Sequence, residues 1–408
     1  MTRHPVCTAE SVAARAIDAL LAVRVESGAQ VGWPAWALTD PAVPARMAVD
    51  DVTLYNGDAG IAWALGGLGQ AMGRPELADL GRRAAARALD TARTLPGEGL
   101  LAGRAGVRLA AYANGIAAGA GPVRPDASDL TDGAAGVLLA HVRTGTTPDG
   151  ELVRLLARRA VAQEVGWAWA DDPGGSGPGE QGGPATVEAP RAMPLLGLAH
   201  GASGVALALA EAAAIAPDLR PGLALAVGGL AWESGWFDPI QGWPDLRSDE
   251  PTFPVWWCHG AAGITTVRLR LLQLAQDGVD LGMPLASLRA QAHAGVQLCL
   301  EHVEAAVASL DTDEVPSGGL TLCHGLGGAL DALALASEVS GEAEHREVAA
   351  AALGRVAAAM GDDPMGWPCG TREPGSSSLF LGLAGVAMVA ARLAWPDAGV
   401  PSPSLLLG

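Results

Sequence analysis

Lysine is missing altogether. All 26 basic residues are arginine, which excludes a Schiff-base lysine, a pyridoxal-phosphate lysine and a P-loop in one step. Positive charge as a whole is scarce. Against those 26 stand 44 acidic residues, for a net charge of −18, which argues against a nucleic-acid backbone as partner. Phe and Tyr are nearly absent, at three and two residues, so close packing must rest largely on small side chains. Only five cysteines are spread over 408 residues; an odd, sparse set is no disulfide framework, and free or metal-bound thiols in a reducing cytosol are expected. The opening "MTRHPVCTAESVAAR" has no apolar core, so no signal peptide is expected there. Nearly uncharged stretches such as 378–391 are too short to span a bilayer. A cytoplasmic chain with no membrane span is the expectation.

What is abundant is Ala and Gly. Half of the residues are apolar and 17% charged, enough for a folded core built of helices that approach closely through small side chains. At 408 residues the chain exceeds one ordinary core, so two domains or a repeat architecture is expected.

The repeat is legible. G-x-x-G followed by an apolar helical run occurs at "YNGDAGIAWAL", "LAGRAGVRLAA", "LTDGAAGVLLA", "LAHGASGVALALA", "WCHGAAGITTVRL", "LCHGLGGALDALA" and "FLGLAGVAMVAARL". Their leading glycines are Gly57, Gly103, Gly133, Gly201, Gly260, Gly325 and Gly382. Between them lie amphipathic, arginine-bearing runs such as "PELADLGRRAAARALDTA". Uniformly apolar helices alternating with half-polar ones mean an inner and an outer layer. Residues 1–408 are therefore predicted to form one all-α domain, a single α/α toroid of seven helix pairs, with repeats over about 50–395. The second interval, 30 residues from Gly103 to Gly133, has room only for a truncated outer helix.

This topology predicts that all seven motifs share one rim, together with the irregular segments that precede them. Ten of the twelve tryptophans fall in those segments or in "WW" before Cys258, which marks that face as the expected ligand mouth. Segment 166–196 is the longest, and its stretch "GGSGPGEQGGPA" is expected to be a mobile loop over the mouth.

Cys-His-Gly occurs twice, at Cys258–His259 and Cys323–His324, each time at a helix entrance. Thiolates and imidazoles suit zinc. The spacing closes no short loop, so only the fold can unite them. Three readings are open from the residues: small buried cysteines, a closed structural site of all four donors, or an open catalytic site. "GLAHGASG" adds His200 at the same register in another repeat, which favours the open site.

G-x-A-H-G, W-C-x-G and C-H-G in this order within G-x-x-G repeats resemble the lanthionine synthetase C-like family, over about residues 50–395. The resemblance implies an α/α toroid with a central Zn2+ held by Cys258, Cys323 and His324. It also implies His200 as catalytic histidine, with Asp129 of "DLTDGAAG" as its acid and Asp132 the nearby competitor. The implied reaction adds a peptide Cys thiol to dehydroalanine or dehydrobutyrine in the same peptide, giving a thioether ring. A dehydrated precursor peptide is then the substrate, and a dehydratase or kinase/lyase enzyme the expected partner. Two departures stand out. His259 follows the first Cys where some members have Tyr, and "TFPVWW" lacks the Arg that the bacterial cyclases tend to carry there, leaving Arg247 as the nearest upstream. The alternatives are addition of glutathione to dehydrated residues and a non-catalytic zinc-containing scaffold of a modifying complex.

Overall fold

Two kinds of helix alternate along the chain, as the patterning predicts. The computed structural model describes residues 7–36, 47–48, 51–119, 125–170, 193–247, 250–370 and 374–407. Helices α1 (Ala9–Val23), α2 (Asp58–Ala71), α3 (Pro75–Thr91), α4 (Arg104–Ala113) and α5 (Ala134–Arg143) come first. Then follow α6 (Gly150–Arg159), α7 (Ala202–Ile215), α8 (Gly222–Ser234) and α9 (Ala261–Gln276). The last are α10 (Leu285–Ser309), α11 (Gly327–Ser340), α12 (Ala343–Ala359) and α13 (Leu383–Ala394). Strand among the described residues is limited to three short antiparallel hairpins. None of the described helices is long and apolar enough to cross a membrane.

The inner layer is α2, α4, α5, α7, α9, α11 and α13. Each packs on the next, and α13 returns to α2, closing the ring. Most of these helices are buried nearly all round; in α7 only its last two residues, Ala214 and Ile215, escape, whereas α4 leaves Arg104, Arg108 and Tyr112 along one unburied stripe. The outer layer is α3, α6, α8, α10 and α12, with α1 lying over α13 and α12. In α3 the buried positions Leu77, Gly81, Ala84, Ala85 and Ala88 form one stripe at helical period, the pattern of a half-solvated helix. The described residues between α4 and α5 contain no helix. The expected truncated outer helix is absent from them, and α3 covers both α2 and α4 instead. Small residues permit that double duty: a Cβ on Gly81 would lie 2.7 Å from Gly66 N, and one on Gly69 2.4 Å from Ala78 N.

Six of the motif glycines are the N-caps of α2, α4, α5, α7, α9 and α13; Gly325 stands two residues before α11. The loops that deliver the chain to them are stitched into a second, smaller ring. Tyr55 N donates to Leu101 O, Leu101 N to Thr131 O, Leu130 N to Ala199 O and Ala199 N to Cys258 O. Trp257 N then donates to Cys323 O, Cys323 N to Phe380 O, and Phe380 N back to Tyr55 O. Seven backbone hydrogen bonds thus hold all seven loops on one rim. The fourth residue of each motif makes this closeness possible. At Gly263 a Cβ would sit 1.9 Å from Trp257 O and 2.9 Å from Leu198 Cβ of the preceding repeat, and at Gly60 2.1 Å from Leu54 O and 2.8 Å from Leu379 Cβ. No larger residue fits without moving backbone.

Buried ion pairs fix the order of the inner helices. Glu211 of α7 accepts from Arg143 of α5 at 2.7 Å and from Arg270 of α9 at 2.8 Å. Burial alone would raise this carboxyl, but the two guanidiniums outweigh it and hold Glu211 at about 2, below its ordinary 4.5. A depressed carboxyl contributes stability that is full above pH 4.5 and lost as pH falls through about 2. Glu211→Gln is expected to cost about 3 kcal/mol of unfolding free energy at pH 7, shrinking to roughly 1 kcal/mol at pH 3. Denaturant titration of both proteins at the two pH values checks this; a pH-independent difference would assign the effect to packing.

Candidate functional site

The chain reaches the rim two residues before each motif glycine. There the seven repeats carry Tyr55, Leu101, Thr131, Ala199, Cys258, Cys323 and Phe380, the same residues the backbone ring threads. Sequence-distant donors meet as a result. Cys258 Sγ, Cys323 Sγ and a ring nitrogen of His324 lie within 4.8 Å of one another. His324 Nε2 is 3.6 Å from Cys323 Sγ, and Trp256 packs edge-on to the imidazole at 5.7 Å. Both cysteines are buried and neither forms a disulfide.

The donor set fits a divalent zinc ion. Two thiols and an imidazole are zinc ligands by type, and three protein donors leave a fourth position open. The two thiols share their ionisation. Hydrogen bonding with Cys323 drives Cys258 well below the ordinary thiol value, whereas burial holds Cys323 well above it. Without a cation the pocket therefore favours one thiolate, and a divalent ion is the charge that lets both ionise. His324 Nδ1 is buried with no hydrogen-bond partner among the described residues, so a lone satisfied histidine is not what this ring looks like.

His259, the fourth donor of the duplicated motif, is not in the cluster. Its ring stacks on His200 at 5.5 Å and 17°. Burial, aided by the charges of Arg247 and His200, brings it down to about 4, so it is neutral at pH 7. The Cys-His order is shared with Cys323 and His324, which do converge, so the split lies in the backbone that follows, where Gly325 has no positive φ. Gly260, which follows, adopts φ +132°, a conformation closed to other residues, and this turn lets the Cys258 and His259 segment enter α9.

His200 stands beside the cluster, because Ala199 N donates to Cys258 O at 3.1 Å. Its Nδ1 is 2.5 Å from Asp129 Oδ2. Asp129 Oδ1 in turn accepts from the backbone N–H of Asp132 at 2.8 Å and of Gly133 at 2.9 Å. Asp129 therefore holds the histidine, and Asp132 serves it by its backbone. The Asp132 carboxyl is raised to about 6 by burial and by the charge of Asp129. Burial pulls His200 down, but the Asp129 hydrogen bond and charge, with Asp132 and Cys258 behind them, carry it above 6.5. Such a pair fixes the tautomer: Nδ1–H donates to the carboxylate and Nε2 is left for proton exchange.

Arg247 forks onto Asp245, with Nη2 2.6 Å from Oδ2 and Nε 3.0 Å from Oδ1. Asp245 and, more weakly, the charges of Cys258 and Cys323 hold its guanidinium protonated, so this arginine belongs to the same mouth although it lies eleven residues before Cys258.

Two expectations need correction or completion. The tryptophans of the rim segments are mostly buried: Trp33, Trp169, Trp232, Trp243, Trp257 and Trp367. Four of these give their indole N–H to backbone carbonyls, as Trp257 does to Ser404 O. They are core, and Trp256, half-buried against His324, is the one that belongs to the cluster. Trp36 and most of segment 166–196, including "GGSGPGEQGGPA", lie outside the residues whose side chains are described. Conversely, Tyr55 was not singled out by sequence reasoning, yet its hydroxyl donates to Cys323 Sγ at 3.2 Å. The signal for it was register: it occupies the same position before Gly57 that the two cysteines occupy before Gly260 and Gly325.

Comparison with known proteins bears on the family and the fold. The sequence profile of the family described as lanthionine synthetase C-like protein matches residues 181–407. The solved structure of nisin cyclase is similar over 88% of this chain and 92% of its own, with a TM-score of 0.55 and 13% identity, a likeness of fold. Among curated protein sequences no match is found.

Proposed function

The chain belongs to the lanthionine synthetase C-like family, and from that premise we propose that it is a cyclase that closes thioether rings in a dehydrated peptide. The observation that carries this reading is the meeting of Cys258, Cys323 and His324 beside the bonded His200–Asp129 pair. Those three donors would hold the zinc, whose contribution when bound is to bring a substrate thiol to thiolate at neutral pH without quenching it. Two protein thiolates already neutralise the ion, and a neutral centre suits a sulfur nucleophile better than it suits ionising water.

The reaction forms a C–S bond at the β-carbon of dehydroalanine or dehydrobutyrine and breaks the C=C π bond. The electron pair moves to the α-carbon and its carbonyl as an enolate, which must then take a proton. The thiol's own proton balances the addition, so no oxidant or reductant is required. His200 Nε2 is the group to relay it, anchored through Nδ1 on Asp129 and contributing on the order of 10²–10⁴-fold. Arg247 is the candidate to stabilise enolate charge, in place of an arginine nearer to Cys258. A peptide of this kind implies an upstream dehydratase or kinase/lyase that eliminates water from Ser and Thr.

The test uses purified chain with a dehydrated peptide that carries one internal Cys, with and without glutathione. Loss of the free thiol at unchanged mass, faster than without protein, is the expected result. Mass gain of one glutathione would favour the intermolecular reaction, and thiol loss no faster than the uncatalysed rate would leave only a scaffold.

A further inference from the structure

Cys258 and Cys323 occupy the same register in neighbouring repeats, yet their sulfurs meet different surroundings. Tyr55 O–H donates to Cys323 Sγ at 3.2 Å. Among the described residues no hydroxyl does the same for Cys258, whose Sγ instead lies 3.6 Å from Cys323 O. The tyrosine is held for this contact from three sides. Its ring stacks on Phe380 at 5.2 Å and 11°, and Phe380 packs on Trp257 at 4.6 Å. Its backbone is a link of the closed ring, giving to Leu101 O and accepting from Phe380 N. In a chain with only two tyrosines, the other one, Tyr112, is half exposed.

From this geometry we propose that Tyr55 is a positioning residue of the metal centre, holding the Cys323 sulfur by a hydrogen bond and drawing charge from it so that the two sulfur ligands donate unequally. This rests on the reading of Cys258, Cys323 and His324 as a zinc site. A phenol keeps its hydrogen on oxygen at neutral pH. It is therefore a permanent donor, and a hydrogen-bonded thiolate is a weaker, better-oriented electron donor than a bare one. The sulfur of Cys258 is left as the more strongly donating ligand.

Tyr55→Phe removes the hydroxyl and keeps the ring on Phe380, so the fold is expected to survive, as unfolding midpoint and helical content will report. Zinc affinity, measured by chelator competition on the full chain, is expected to fall by roughly 10-fold, the lower end of losses for an outer hydrogen bond. With Co(II) in place of zinc, the sulfur-to-metal charge-transfer band is expected to move to lower energy, because the freed thiolate holds its lone pair less tightly. Replacing tyrosine by 3-fluorotyrosine, a stronger donor, should move the band the other way; Tyr112→Phe removes the second site of incorporation and should change nothing. A Tyr55→Phe protein with affinity within about twofold of the parent and an unmoved band would overturn the proposal. Failure of the parent chain itself to bind zinc or Co(II) would instead overturn the underlying site reading, and that result is read before any variant is made.

Discussion

Cys258→Ala and Cys323→Ala are each expected to be isolated essentially free of zinc, while His259→Ala keeps most of it. The parent chain should carry one zinc per molecule. The size of the effect follows from the donor count. Three protein ligands leave no redundancy, and loss of one thiolate removes both a bond and the negative charge that neutralises the ion. The expected drop in affinity exceeds the roughly 10–100-fold that loss of an outer hydrogen bond costs. His259 is a control of unusual quality, since it neighbours Cys258 in sequence but stacks on His200 outside the three-donor cluster. Elemental analysis of the purified proteins decides it. Equal loss of zinc in His259→Ala would mean that four donors close the site, and with no open position a substrate thiol could not bind.

The contrast between His259 and His324 shows what the sequence could and could not carry. Both follow a cysteine and precede a glycine, so no local pattern separates a ligand from a neighbour. The separation comes from the ring. His324 turns onto Cys323 Sγ, whereas His259 turns toward the adjoining repeat and His200. The three residues that cluster were named through family resemblance, and the fold was legible through the glycine register, because a shared steric demand leaves a shared mark in each repeat. Gly263 and Gly60 are required by backbone carbonyls in their own loops and Cβ atoms in the preceding repeat, so the motif records circular packing directly. Tyr55 was illegible for the opposite reason. "YNGDAG" shares only register with "WCHGAAG", and nothing local says that the first repeat comes within reach of the sixth, with only the seventh between them. Closure of α13 on α2 is a property of the whole chain. The tryptophans pointed to the rim that carries the cluster without telling which of them reach it: loop position does not set burial, and Trp243 and Trp257 are among the largest fully buried side chains.

His200→Asn is expected to bind zinc, fold and bind peptide as the parent does, yet to close rings about 10²–10⁴-fold more slowly. Asparagine keeps a side-chain N–H to offer to Asp129 and removes the exchangeable proton, so the change falls on chemistry and leaves the rim intact. The pH profile carries the more specific signature. A histidine raised above 6.5 by Asp129 holds its proton fully below that value and loses it as pH rises through the raised one. If the protonated ring delivers the proton to the α-carbon, ring formation should decline on that alkaline side. Asp129→Asn keeps the acceptor oxygen but deletes the charge that opposes burial; burial then pulls the histidine down, and the alkaline decline should move to lower pH. The same variant should lose less rate than His200→Asn at low pH, where the ring is protonated in both proteins. Cyclisation by His200→Asn at the parent's rate would remove this histidine from the reaction. An Asp129→Asn profile that stays in place would detach the carboxylate from it.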